Sequence, residues 1–531
     1  MKYVPIIGME VHVELKTKSK MFCGCKNDPD AREPNVNICE ICTAQPGTLP
    51  VPNKTAIGWT VKIGKALGCS IRKLSKFDRK HYFYPDLPKA YQISQYDEPV
   101  AEHGLITLEF PLNDNIREEA RIGITRVHLE EDTAKLLHTA AGETLVDFNR
   151  AGTPLVEIVT DPDFKTALEA KVYCQELRTL FRYLGVSDAD MEKGHMRCEV
   201  NVSVQEEGRF EIIDGEVKPL NNYKLNNKVE IKNINSFRAV EKSINLEIER
   251  QTEMADNGKV WPQETRGWVD TKDGGTTVSQ RIKENATDYR YFPEPDIPPF
   301  HPEKIAGKIK LPELPQKKRQ RFHEEYGFSY SDAQILTSDI DLADFAEEVM
   351  TELYEWINSL PRDLPRTDER SESGAGAKNK AENVPQTVAR LAGGWITSKL
   401  LGILKEKNLE IREVNFSAEN FAELIALIYT NRVNSTNALK ILVIMAGSER
   451  DHDPTHLMEE KGWGQVIDEE KIGAVIGEVI KSYPKQVAEF KSGKEPIIKF
   501  LIGMVMKATE GSADPKVVEK LLRARLILIA Q

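Results

Sequence analysis

Apolar and polar residues alternate with a period of two in several short runs of the N-terminal half. Val4 to Leu15, Leu105 to Phe110, Arg121 to Leu129, Leu145 to Phe148, Val200 to Val204 and Lys228 to Ile234 therefore predict strands. Helical periodicity lies between them, over Thr55 to Leu67, Phe164 to Leu184 and Phe237 to Ala255, the last with Ser236 as N-cap. Strands joined by varied connections, with few strand–helix–strand alternations, predict an α+β domain with an antiparallel sheet over residues 1–295.

The proline cluster Pro293 to Ile305 (PEPDIPPFHPEKI) breaks this pattern and predicts a rigid extended connector. Beyond it the periodicity is helical. Ser331 to Leu353 and Thr387 to Lys405 predict helices of a second domain, 296–410. The stretch 362–386 is polar, rich in Gly, Ala and Ser, and predicts a flexible insertion. A third, all-helical domain is expected over 411–531. Its last helix starts with Asp514 as N-cap and Pro515 at the first helical position. Residues 481–531 hold ten Lys/Arg against five Asp/Glu, which fits either a solvated helical surface or a contact to a phosphate backbone.

The chain has 531 residues, enough for about two to four domains. Its hydrophobic fraction of 40% and charged fraction of 29% are those of a globular protein. A net charge of −11 excludes a basic coat over the whole surface, though not a local patch. No apolar run is long enough to span a bilayer, and Met1 to Leu15 has no signal-peptide core, so no membrane partner is expected. Seven cysteines in such a chain point to a reducing cytoplasm, where clustered thiols more often bind metal than form disulfides.

Four of those cysteines cluster. Cys23-x-Cys25 and Cys39-x-x-Cys42, separated by 13 residues, can converge on one tetrahedral ion; four thiolates complete zinc and make such a site structural. Cys69, Cys174 and Cys198 stand alone and read as core. On the opening strand, Glu10, His12 and Glu14 share one face, which suits a hard cation or simply a wet sheet face. Arg126, His128 and Glu130 share a face of a second strand that ends in the acidic run Glu130, Glu131, Asp132. Glu199 and Glu230 sit inside further strand-patterned runs. Glu230 with Lys232 and Asn233 suits either a metal-bridged phosphate or a cross-strand ion pair. Arg281, Lys283 and Arg290 are interleaved with Tyr289 and Tyr291, as in a nucleotide or RNA-end seat or a tyrosine-packed hinge. Phe77 to Gln95 carries the same mixture. No G-x-x-x-x-G-K-[ST] loop occurs; Gly58 to Gly64-Lys65 misses its spacing and its Ser/Thr.

Together, IGMEVHVELKTKSKMFCGC, CEICTAQPGTLPV, FDRKHYFYPDLPKAYQISQ, HLEEDTAK, DFNRAGTPLVEIVTDPD, VEIKNINSFRAVEKSINLEIERQ and KENATDYRYFPEPD resemble the GatB family of the tRNA-dependent amidotransferases. The tail FLIGMVMKATEGSADPKVVEKLL is similar to the family's C-terminal helical domain. The resemblance implies an α+β cradle, a helical domain and a tail that docks on tRNA. It implies use of ATP and Mg²⁺ to phosphorylate the side-chain carboxylate of mischarged Glu-tRNA(Gln) and/or Asp-tRNA(Asn). Ammonia released from glutamine by a separate amidase subunit then forms the amide, and a small third subunit completes a heterotrimer. Glu10, His12, Glu130 or Glu131, Glu199 and Glu230 resemble the family's metal- and phosphate-handling positions, Glu199 standing where Asp is frequent. Zinc at the four cysteines would be structural. A non-catalytic zinc-ribbon module that binds tRNA is the alternative.

Overall fold

The structure is a computed structural model that describes residues 2–110, 119–272, 274–282, 289–359, 384–464, 469–509, 513 and 515–528. Lys283, Asp514 and most of the 362–386 stretch lie outside the described residues; Val384 to Gln386 already belong to a helix. The chain forms two compact units, Met1–Pro315 and Gln316–Gln531.

In the first unit the strands are β1 (Tyr3–Glu14), β2 (Ser70–Ile71), β3 (Asp78–His81), β4 (Tyr91–Ser94), β5 (Ala101–Glu109), β6 (Glu119–Glu131), β7 (Lys135–His138) and β8 (Thr144–Asp147). They continue with β9 (Pro154–Thr160), β10 (Met196–Glu206), β11 (Phe210–Ile213), β12 (Glu216–Pro219), β13 (Val229–Ile234), β14 (Glu264–Val269), β15 (Thr276–Ile282) and β16 (Phe292–Pro293). The helices are α1 (Lys54–Ala66), α2 (Ala167–Tyr183), α3 (Phe237–Asp256) and α4 (Pro302–Ala306).

Nine strands form one sheet in the order β15-β14-β13-β10-β1-β9-β6-β5-β2, antiparallel apart from the parallel pair β13–β14. The period-two pattern explains its two faces. Ile7, Met9, Val11 and Val13 of β1 are fully buried, with Val127 and Leu129 of β6, Val156 and Ile158 of β9, and Val200 and Val202 of β10. They pack against apolar stripes of α1, α2 and α3, including Val61, Tyr173, Leu177, Phe181, Val240 and Ile244. Each helix opens on a side-chain cap: Asn53 for α1, Thr166 for α2 and, as the sequence predicts, Ser236 for α3. The opposite face of the sheet carries the charged residues. A small sheet, β16-β3-β4, stands beside it.

The proline-rich segment does not extend away as a connector. Phe292 and Pro293 pair with β3, Phe300 stacks on Phe77 at 5.6 Å, Ile297 is buried in the main core, and α4 forms within the expected extended run. Prolines here fix turns on the first unit's surface instead of spacing two bodies. The near-miss phosphate loop is a helix: Lys65, in the last turn of α1, donates to the carbonyls of Ala306 and Ile309.

The second unit is helical, with α5 (Pro315–Arg321), α6 (Tyr330–Leu336), α7 (Ile340–Ser359), α8 (Val384–Gly394), α9 (Leu401–Lys407) and α10 (Ala418–Tyr429). It continues through α11 (Ser435–Gly447), α12 (Pro454–Glu460), α13 (Glu469–Ser482), α14 (Pro484–Lys491), α15 (Ile497–Ala508) and α16 (Pro515–Leu528). Wide, π-type turns interrupt it at Phe322–Tyr326 and Trp395–Leu400. Ile472, Ile476, Val487, Leu501, Val505, Val518 and Leu522 join the last four helices in a separate core. Among the described residues, no helix is long and apolar enough to cross a membrane.

Candidate active site

Register sets the site. Across the sheet, His128 (β6), Glu157 (β9), His12 (β1) and Arg197 (β10) stand in one row. Arg126, Val159, Glu10 and Glu199 form the next row, and Asn201, Glu230 and Thr265 the one beyond. Directly paired residues point to the same face, so charges far apart in sequence meet.

Two groups of ligands result, each with its ligand atoms within 4.8 Å of one another: His12, Glu130 and Glu157; and Glu10, Glu199 and Glu230. In the first, Glu157 Oε2 lies 3.2 Å from His12 Nε2 and 3.1 Å from His128 Nε2, and Glu130 is 3.8 and 3.7 Å from the same two nitrogens. Ser94 donates to Glu130 at 2.9 Å. In the second, Asn201 donates to Glu10 at 3.1 Å, Thr265 to Glu230 at 2.8 Å, and Lys232 to Glu199 at 2.7 Å with Glu230 at 3.4 Å. Glu199 reaches this group with Glu's extra methylene.

Both groups open into one cavity of about 520 Å³, roofed by the β3–β4 hairpin and by Tyr289 and Tyr291. Its electrostatics show concentrated negative charge. Burial and the neighbouring Glu157 and Glu199 carboxylates raise the Glu10 carboxyl. Burial alone would lower His12, but Glu157, Glu199 and Glu130 outweigh it and bring the imidazole to about 9. His128 is raised in the same way. Glu157, despite burial, is held well below the usual carboxylate range by His128 and His12.

These donors fit divalent cations. Hard carboxylate oxygens surround each position, and the buried Nδ1 atoms of His12 and His128 have no hydrogen-bond partner. A bound dication would offset the carboxylate charge that raises the two imidazoles and would favour proton release from them.

The alternation of the sequence puts Glu10, His12, Glu130, Glu199 and Glu230 on polar strand faces; the fold brings all five to this cavity. Glu131 points to the other side of β6, where Lys89 pairs with it at 2.7 Å and the Ile93 N–H donates to it at 3.1 Å. Lys232 lines the cavity, held by Glu199. Asn233 is the extra residue of a bulge opposite β10, left-handed at φ 60° and exposed. Arg281 is opposite Thr265 at the sheet edge and Arg290 is exposed; neither is among the residues lining the cavity. Glu157 and Lys80 also line it, although sequence reasoning does not single them out. A signal for Glu157 exists: it is the only charge in the apolar run Pro154–Thr160.

The cysteines converge as their spacing predicts. All four sulfurs lie within 4.8 Å of one another, and Cys39 and Cys42 are 3.9 Å apart. Zinc–sulfur bonds of about 2.3 Å place tetrahedral sulfurs about 3.8 Å apart, so the donor set fits zinc. The Cys23 thiol, the Cys39 N–H and the Lys20 ammonium bring the Cys42 thiol down to about 5, while Cys23 is pushed up.

The family model described as the GatB/GatE catalytic domain matches residues 5–306, the stretch that carries this sheet and its acidic face. A second model, the GatB domain, matches residues 379–526. The chain is 41% identical over 536 residues to the aspartyl/glutamyl-tRNA(Asn/Gln) amidotransferase B subunit of Rippkaea orientalis, covering 99% of this chain and 98% of the relative. It is equally similar to the proteins of that name from Thermotoga petrophila (99% of each chain) and Dehalococcoides mccartyi (99% of each chain). The chain belongs to the GatB family of amidotransferase subunits.

Proposed function

We propose that the acidic cavity activates a carboxylate by phosphorylation. The supporting observation is that Glu10, Glu199 and Glu230 on one side, and His12, Glu130 and Glu157 on the other, face one cavity within a family whose members are named for amidotransfer on tRNA. A carboxylate is a poor acyl donor because its oxygen would leave as an oxide-like anion. Transfer of the γ-phosphoryl group of ATP to that oxygen gives an acyl phosphate and ADP. Ammonia then attacks the acyl carbon, phosphate leaves, one proton is lost, and the amide remains. The substrates are the side-chain carboxylates of the aminoacyl groups on Glu-tRNA(Gln) and Asp-tRNA(Asn). Ammonia comes from glutamine through a separate amidase subunit, and a small third subunit holds the heterotrimer together.

Magnesium ions held by the two ligand groups would neutralise charge on the phosphoryl oxygens. The chain's own residues do the rest. Asn201 and Thr265 fix the rotamers of Glu10 and Glu230 by hydrogen bonds. Ser94 does the same for Glu130. The roof shields the acyl phosphate from water. The four cysteines bind zinc as a structural clip, and the basic tail within 411–531 meets the tRNA backbone.

The test is conversion of both mischarged tRNAs by the assembled heterotrimer, together with Mg²⁺-dependent ATP hydrolysis stimulated by charged tRNA. Glu10→Ala and Glu230→Ala should abolish both. Full turnover in both variants supports a non-catalytic tRNA-binding module instead.

A further inference from the structure

Two of the four lysines and arginines lining the cavity are already spoken for. Glu199 and Glu230 hold Lys232, and Asp132 and Glu14 hold Arg197. Two are not: among the described residues, Lys80 and Arg126 line the cavity without a hydrogen bond or ion pair. Arg126 Nε is buried and unpartnered. By register Arg126 lies between Glu102 of β5 and Val159 of β9; the valine cannot accept a bond, and the Glu102 carboxylate is taken by Arg72 at 2.8 Å. Lys80 reaches in from β3, with its Nζ 5.2 Å from the centre of the Tyr289 ring. Arg126 as a whole is half-buried, but a buried Nε–H without an acceptor costs free energy, and such a cost persists where a ligand repays it.

We propose that Lys80 and Arg126 form an oxyanion seat for the phosphoryl group of a nucleoside triphosphate. This seat rests on the phosphorylation reading above. Lys80 feels the charges of Glu130 and Glu157, two residues that would hold a dication. A dication held there and an ammonium lining the same cavity repel unless an anion lies between them. One carboxylate has two oxygens and about four lone-pair sites, all of which a metal, an ammonium and a two-pronged guanidinium would fill. A phosphoryl group offers three terminal oxygens. Arg126 supplies the planar pair of donors and Lys80 a point charge. The sequence candidates for this task, Arg281 and Arg290, are not among the residues lining the cavity.

The experiment measures, by calorimetry on the assembled amidotransferase, binding of the Mg²⁺ complex of β,γ-imido-ATP and of adenosine monophosphate. Lys80→Met and Arg126→Gln should each weaken the triphosphate analogue by about tenfold or more and change the monophosphate by less than about twofold. Arg126→Lys, which keeps charge and packing, should recover part of the loss and is decisive should the glutamine variant fold poorly. Unchanged analogue affinity with a raised KM for charged tRNA would assign the seat to the substrate carboxylate and overturn the proposal. Unchanged values throughout, with analogue binding lost in Glu10→Ala, would overturn it while leaving the phosphorylation reading intact. Retention of binding in Glu10→Ala as well would remove that reading too.

Discussion

Removing one sulfur from the cysteine cluster tests whether a metal clip stands in for secondary structure in this segment. Between β1 and α1 the residues form no helix and only the isolated bridge Ser19–Lys26. Yet Met21 and Lys20 are fully buried there. The Lys20 ammonium donates to the Phe148 carbonyl at 3.0 Å and lies 3.8 Å from Cys42 Sγ. Asn53, the α1 cap, donates to the Ser19 and Lys20 carbonyls at 2.9 and 3.2 Å. Loosening the clip therefore reaches the helix that covers the sheet. Zinc at about a thousand times its Kd contributes about 4 kcal/mol to the native state. For a unit of this size, about 2 °C of Tm accompanies each kcal/mol, so Cys42→Ala should lower the Tm by about 8 °C. Metal analysis should find one zinc per wild-type chain and far less in the variant, and a chelator should reproduce the shift. Zinc-free wild-type protein, or an unchanged Tm in Cys42→Ala, would refute the clip.

Core packing and buried charge give two further tests. Ile158→Ala, at a fully buried position under the site, should destabilise the first unit by about 2–5 kcal/mol in urea unfolding. Burial would raise the Asp132 carboxyl, but Arg197 and Arg150 outweigh it and hold it below the ordinary range. Its stabilising effect is present above the unfolded pKa of about 4 and fades as pH falls through and below it. The stability gap between wild type and Arg197→Met, measured by urea unfolding, should accordingly shrink from pH 7 to pH 3.

The strand faces are legible in the sequence because period two is unambiguous where one side packs on helices. Val11 and Val13 inward fixes Glu10 and His12 outward, and the fold obeys. The cysteine cluster is legible from spacing alone. Cross-strand neighbourhood is not. Nothing local says that Glu157 sits between His12 and His128, since that depends on β9 pairing with both β1 and β6. Local alternation does separate Glu130, which shares the face of His128, from Glu131, which takes the other side of β6. Arg281 and Arg290 have suitable chemistry, but the fold gives the cavity lining to Lys80 and Arg126 instead. The proline run misleads for a related reason: prolines rigidify a segment, but contacts such as Phe300 on Phe77 decide where it lies.

Whether the two acidic groups together serve phosphoryl transfer is tested most directly by following ³²P from γ-labelled ATP to mischarged tRNA. The assay uses the assembled amidotransferase, with glutamine and ammonia withheld so that the proposed acyl phosphate accumulates. Wild type should label the tRNA in a Mg²⁺-dependent way. Glu157→Ala and Glu199→Ala, one from each group, should each lose about a hundredfold or more of that labelling. Wild-type labelling in both variants would contradict a shared role in phosphoryl transfer.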